Sequence, residues 1–286
     1  MKKIFFSLVI LVSLGFLWFK ATEYSKTKIK QVKQETEISQ TNKKTILRFA
    51  LVADSENDNE NLKKALDQAK GSGINFVIGL GDWSAVGTNS DLLAAKKVFD
   101  GSGLKYYITP GDHDLWDSRN RGEDALFNYR IVFGEPSHSF DASGVVIDIV
   151  DNSDIYFGID QKDWDRLLES LKKPAKLRLV FSHKTPFHPQ SSHVMGSENE
   201  QVAVQAKKYM ELLEENRVDG FFSGDLHFFA RFSSTGGSTS GGNSPSGVKI
   251  TTVGAIDSER NFQGPRYAVV TVYSDYSWDV EDVEII

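Results

Sequence analysis

The 286-residue chain contains no cysteine. That absence excludes disulfides, thiolate metal sites and lipidated cysteines. Nor is there an excess of positive charge: the formal net charge is -6 at pH 7. A broadly basic nucleic-acid surface is thereby excluded, though a local basic patch is not, and no specific nucleic-acid partner is expected. What is present is an ordinary globular composition with enough apolar residues for a core. The length allows one large domain or two small ones.

The longest apolar run stands at the N-terminus. Lys2 and Lys3 precede Ile4–Phe19, and Lys20 closes the run. It falls slightly short of the roughly 20 residues a membrane-spanning helix wants. Lys3 and Lys20 can snorkel, and Trp18 suits an interface. Residues 1–20 are therefore expected to be an uncleaved anchor, with the N-terminus cytoplasmic and the rest of the chain outside. A cleaved signal segment, which would make the protein secreted, is the competing reading. Ser13 and Gly15 could precede the cut, yet the run stays apolar beyond them. Residues 21–45, rich in Lys, Gln, Thr and Glu, read as a polar linker. Globular texture occupies residues 46–286.

Within that region apolar runs alternate with helical periodicity. Ile46–Ala53, Ile74–Leu80, Leu104–Ile108, Val145–Val150, Leu177–Phe181 and Val218–Phe222 read as strands. Asn61–Lys70, Leu92–Phe99, Trp164–Leu171 and Glu200–Glu215 read as helices between them. Alternation of this kind implies an α/β layered fold. The last third changes texture: Val248–Val253, Tyr267–Val272 and Trp278–Ile285 are strands with no helix between, and Ser233–Gly247 is a long Gly/Ser-rich loop.

The strand exits carry the chemistry. They read Asp54-Ser55-Glu56, Gly81-Asp82, Gly111-Asp112-His113-Asp114, Ser182-His183 and Ser223-Gly224-Asp225-Leu226-His227. Ligands of open α/β sheets bind beyond the carboxyl ends of strands. An acidic residue after one strand is a common turn or cap residue, but five such exits together point to one site. Crowded carboxylates repel one another and call for cations, and mixed Asp and His donors suit divalent metals.

This ordered set resembles the calcineurin-like metallophosphoesterases, whose pattern is D-x-H, G-D, G-N-H-[DE], a single His after a strand, and G-H-x-H. The resemblance runs from about Ile46 to the C-terminus and includes a middle segment, Asn152-Ser153 with Gly158-Ile159-Asp160. It implies an α/β (α+β) fold with a four-layer arrangement, a β-sandwich flanked by helices, and two metals about 3.5–4 Å apart. By the same resemblance Asp54, Glu56, Asp82 and His227 would hold the first metal. Asp82, Asp112, His183 and Asp225 would hold the second. His113 would contact phosphate and protonate the leaving oxygen, with Asp114 orienting it. His188 and His193 are further candidates for substrate contact. The implied activity is hydrolysis of phosphomonoesters or phosphodiesters on a small-molecule or macromolecular substrate. A degenerate member that binds metal or a phosphorylated ligand without turnover is the alternative.

Three positions depart from the family pattern: Glu56 stands for His, Asp112 for Asn, and Asp225 for His. Each replaces a neutral ligand with a carboxylate. Five carboxylates would leave two divalent ions about one charge short of neutrality. Such a site is expected to favour Mn, Mg, Fe or Ca over Zn. No lysine or arginine is assignable to the site from the sequence, and Arg119 and Arg121 read as solvated. Trp83, Phe221-Phe222, Phe228-Phe229 and His138 read as packing residues.

Overall fold

Strands β1 (Thr45–Val52), β2 (Phe76–Leu80) and β3 (Tyr106–Thr109) run parallel, side by side. β10 (Arg266–Tyr273) and β11 (Trp278–Glu284) extend them antiparallel, giving the order β11-β10-β1-β2-β3. A second sheet has the order β4-β5-β6-β7-β9-β8. Its centre, β5 (Val145–Ile149), β6 (Leu177–Phe181), β7 (Gly220–Ser223) and β9 (Lys249–Thr252), is parallel. Antiparallel strands β4 (His138–Ala142) and β8 (Ala230–Ser233) form its edges. The computed structural model describes residues 43–235 and 247–286, and Thr45–Ile286 falls within one compact unit. The expected anchor and most of the linker, residues 1–42, and most of the Ser233–Gly247 loop lie outside the described residues. Among the described residues no helix is long and apolar enough to cross a membrane.

Side chains on a strand alternate between faces, and here both faces are covered. Leu47, Phe49 and Leu51 of β1, with Phe76, Ile78 and Leu80 of β2, meet Ile147, Leu179, Phe181 and Phe222 of the second sheet in a central core. The intervening residues Ala50, Val52 and Val77 face outward onto helices α1 (Asn59–Gly71), α2 (Asn89–Ser102) and α4 (Phe127–Phe133). On the far side, Val180, Phe221 and Ile250 pack under α5 (Gln161–Leu171) and α6 (Glu200–Glu215). Two sheets between two helical layers make the expected four-layer arrangement. Burial on both faces explains why the strands read as near-continuous apolar runs.

Helix ends follow their caps. Asp58, Thr88, Asp160 and Asn199 each accept a backbone N–H of the first turn. Those caps start α1, α2 and α5 two to three residues earlier than the apolar periodicity alone predicts. The edge strand β8 and the short helices α3 (Trp116–Asn120) and α4 carry no such pattern and are findings of the structure.

Candidate metal centre

All five predicted strand exits open at one edge of the sandwich. Asp54 and Glu56 follow β1, Asp82 follows β2, Asp112 follows β3, His183 follows β6, and Asp225 and His227 follow β7. Turning the chain so sharply has a backbone cost. Asp54, Glu56, Asp82, Asp225 and His227 all have φ between 40° and 65°, a left-handed region rare for residues with a Cβ. Cross-links hold the turns: Asp54 N donates to Gly81 O at 2.9 Å, Glu56 N to Asp82 O at 2.9 Å, and Gly224 N to His183 O at 3.0 Å. Gly111 is required by close approach, since a Cβ there would lie 2.0 Å from Asp82 Oδ1.

The seven predicted ligands converge. Three overlapping groups, Glu56–Asp82–His227, Asp54–Asp82–His183 and Asp112–His183–Asp225, each offer donor atoms within 4.8 Å of one another. Asp82 is shared between two groups, as the resemblance implied, but Asp54 groups with His183 and not with Glu56 and His227. His183 Nδ1 donates to Leu80 O at 2.7 Å, which leaves Nε2 facing Asp112 Oδ1 at 3.3 Å and Asp82 and Asp225 at 3.6 Å. A second nitrogen tied to a carbonyl is the usual way to aim an imidazole at a metal. His227 Nε2 lies 3.4 Å from Glu56 Oε1.

The electrostatics ask for a cation. Burial, reinforced by the charges of Asp112 and Asp225, pushes the Asp82 carboxyl up to about 6 although His183 opposes it. Burial likewise drives Asp54 well above the carboxylate range. His183 is resisted by burial but held protonated by the carboxylates around it. Burial lowers His227, keeping it neutral as a ligand should be. Asp54 Oδ2 and Asp225 Oδ2 are buried without any hydrogen-bond partner. Unpaired buried carboxylate oxygens are costly. That orphaned pair and the donor set around Asp82 fit a divalent ion.

Two cations unforeseen in the sequence enter the centre, so the expectation that none is assignable is corrected. Lys184, 1% exposed, places Nζ 2.6 Å from Asp225 Oδ1 and 3.1 Å from Asp112 Oδ1. Burial opposes its charge, but the two carboxylates hold its pKa above the ordinary value. In return Asp225, despite burial, is drawn down to about 2 by Lys184 and His193, and Asp112 is held far below its usual range by His183 and Lys184. Arg260 Nη1 lies 2.5 and 2.7 Å from the two oxygens of Glu56. Lys184 was legible only as the neighbour of His183. Arg260 lies beyond the last motif, in a segment without periodicity.

His113 and Asp114 face apart, which corrects the expected pairing. Asp114 accepts three backbone N–H groups, from Trp83, Ser84 and Gly111, at 2.9–3.0 Å. It shapes the loop; burial and Asp82 push its carboxyl up to about 8 against those donors. His113 is oriented instead by Ala85 O, 2.9 Å from Nδ1, and by a stack on Trp116 with centroids 4.0 Å apart. Its backbone N–H donates to Asp82 Oδ1 at 3.1 Å.

His193 reaches the centre through Asp225 Oδ1 at 3.2 Å. His188 does loop work: Nδ1 accepts from Gln190 N and Ser191 N, and the ring packs on Phe228 and Phe232. Trp83 is fully buried, with Nε1 donating to Thr109 O. Arg119 and Arg121 pair with Asp154 and with Asp117 and Glu123. Phe228 is only half-buried and its ring lies tilted against exposed Phe262, so it belongs to the rim and not the core.

No curated protein matches the chain. Among solved structures it is similar in fold to the purple acid phosphatase PPD1 from yellow lupin (Lupinus luteus) seeds, at TM-score 0.60 and 12% identity, covering 84% of this chain and 52% of that one. It thus spans about half the length of the lupin phosphatase. TT1561 of Thermus thermophilus matches at TM-score 0.52 and 12% identity, covering 85% of this chain and 100% of that one. GAP50, the anchor in the inner membrane complex of Plasmodium, matches at TM-score 0.50 and 14% identity, covering 85% and 90%. The family model for calcineurin-like phosphoesterases matches residues 47–229, which takes in every strand exit described above. With that span matched and its acidic and imidazole groups gathered at one edge, the chain belongs to the calcineurin-like phosphoesterase family.

Proposed function

We propose that the protein is a metal-dependent phosphoesterase that cleaves phosphomonoester or phosphodiester bonds, tethered by residues 1–20 with its catalytic unit outside the cytoplasm. The carrying observation is the convergence of seven donors from five strand exits, with two carboxylate oxygens left unpartnered. Asp82 stands in two donor groups and anchors the centre, with Asp54, Glu56 and His227 beside it. Bound there, a divalent ion supplies an acidified water and positive charge for phosphoryl oxygens.

The chain's own groups do the rest. A carbonyl can only accept, so Ala85 O fixes His113 Nδ1 as the donor. That leaves Nε2 as the free ring position, from which the ring in its protonated form can pass a proton to the leaving oxygen. The Trp116 stack restricts the ring to one plane. Lys184 is committed to Asp112 and Asp225, and Arg260, 52% exposed at its side chain, is free to swing from Glu56 toward an incoming phosphate. Oxygen-rich donors favour Mn, Mg, Fe or Ca over Zn. Binding without turnover is the second reading, favoured by Asp114 being turned away from His113.

The test is turnover of chromogenic mono- and diesters by protein loaded in turn with Mg, Mn, Ca, Fe and Zn. Metal-dependent hydrolysis is expected, best without Zn, and His113→Ala should lower kcat about 10²–10⁴-fold. No metal-dependent turnover, or unchanged turnover in the variant, selects the binding reading.

A further inference from the structure

One oxygen of each carboxylate a second ion would need is already engaged by a buried cation. Asp112 Oδ1 and Asp225 Oδ1 both accept from Lys184 Nζ, and His183 Nε2 lies 3.3 and 3.6 Å from the same two atoms. An ion drawing on Asp112, His183 and Asp225 would therefore sit in contact with an ammonium, cation against cation, with the lysine side chain sealed from water. Nor can the lysine easily leave. Its backbone is clamped both ways by buried Asn152: Lys184 N donates to Asn152 Oδ1 at 2.9 Å, and Asn152 Nδ2 donates to Lys184 O at 2.7 Å. The Arg260–Glu56 pair is half-exposed and can open; the lysine pair is not.

We propose that the Lys184 ammonium takes the place of the second metal, so that the centre binds a single divalent ion around Asp82, which groups with Glu56 and His227 and with Asp54. This explains why the acidic replacements fall where they do. An ammonium needs anionic acceptors, which Asp112 and Asp225 supply and which Asn and His would not. Glu56 is matched by Arg260 in the same way. One divalent ion with these two cations leaves the five carboxylates one charge from neutrality, the same balance that two ions would give without them. Asp54 Oδ2 is buried without a partner and remains for that ion, while Asp54 Oδ1 is held by Asp225 N at 3.1 Å.

The proposal rests on the metal-dependent reading above, and metal counting separates their failures. Full-length protein stripped with chelator is reloaded with excess Mn²⁺, desalted, and measured by elemental analysis and electron paramagnetic resonance. The wild type should retain one Mn per chain with the six-line spectrum of an isolated ion. Lys184→Met, which keeps the stem and removes the charge, should retain two with a spin-coupled spectrum, and Lys184→Arg should stay at one. Two ions in the wild type, or one in Lys184→Met, overturns the lysine's role while leaving metal dependence intact. No ion in the wild type overturns both readings. If Lys184→Met does not fold, the wild-type count and spectrum decide.

Discussion

Adjacent residues at the centre serve opposite ends, and this limits what motif order conveys. His113 and Asp114 sit side by side in sequence, yet one ring stacks on Trp116 while the other carboxylate gathers loop amides. Sequence named all seven donors because each follows a strand, and the parallel strands of both sheets end at the same edge. It could not name Lys184, since a lysine after a strand is ordinarily solvated; only the carboxylates it meets across the fold, from positions 112 and 225, make its burial tolerable. Gly111 gives the sharpest test at this scale. In Gly111→Ala the new Cβ would fall 2.0 Å from Asp82 Oδ1 and 2.4 Å from Asp82 N, so Asp82 must move. Mn²⁺ affinity measured by calorimetry should drop at least about tenfold, the effect of losing one well-placed ligand contact. Gly101→Ala, within α2 and facing open space, should leave affinity unchanged. Equal affinity in both variants would show that Asp82 does not centre the site.

At the scale of elements, the buried strands were legible from apolar runs and the helices from periodicity, but the polar groups inside them were not. Arg178 lies inside buried β6, one residue from its start, where a charge would argue against a core strand. It is 5% exposed, bonds Asp148 of β5 at 2.8 Å, and caps the end of α5 through Ser170 O and Lys173 O. Arg178→Ala would strand the Asp148 carboxylate in the core and should cost about 3–5 kcal/mol in urea denaturation. Arg231→Ala, which loses an exposed pair with Asp279, should cost under about 1 kcal/mol. A pH effect belongs here too. Asp151, just past β5, is pushed by burial from 3.8 to about 7, although Ser153 N and Oγ donate to it. A carboxyl raised on folding adds stability that is full below its unfolded value and lost as pH rises through its folded one. Its contribution should therefore fall between about pH 4 and 7, by at most about 4 kcal/mol. Asp151→Asn keeps the acceptor for Ser153 and should raise Tm at pH 8 relative to wild type, with little change at pH 4. A gain that is equal at both pH values would place the effect in packing and not in ionisation.

For the molecule as a whole, the centre is a seam. Asp54, Glu56, Asp82 and Asp112 come from the β1–β2–β3 sheet, while His183, Asp225 and His227 come from the sheet of β6 and β7. Away from this edge, among the described residues, the two sheets meet mainly through a core of apolar contacts that have no preferred direction, with the exposed Arg231–Asp279 pair at the rim. At the edge the backbone already crosses between them, with Asp257 N donating to Asp54 O and Ile256 N to Ala53 O, both at 3.0 Å. An ion drawing on donors of both sheets would add a directional clasp to that seam, bound by the folded state and not by the unfolded chain. At a free concentration of 100 times its dissociation constant it should add about 2.7 kcal/mol, which for a unit of this size is about 5–10 °C in Tm. Chelator should reverse the gain. Because the ligands straddle the seam, amide exchange should slow together at the exits of β1 and β2 and at that of β7, with the α1 and α6 faces unaffected. Protection confined to one sheet would mean that the ion draws its ligands from that sheet alone, and the seam would then be held by packing and the backbone crossings without it.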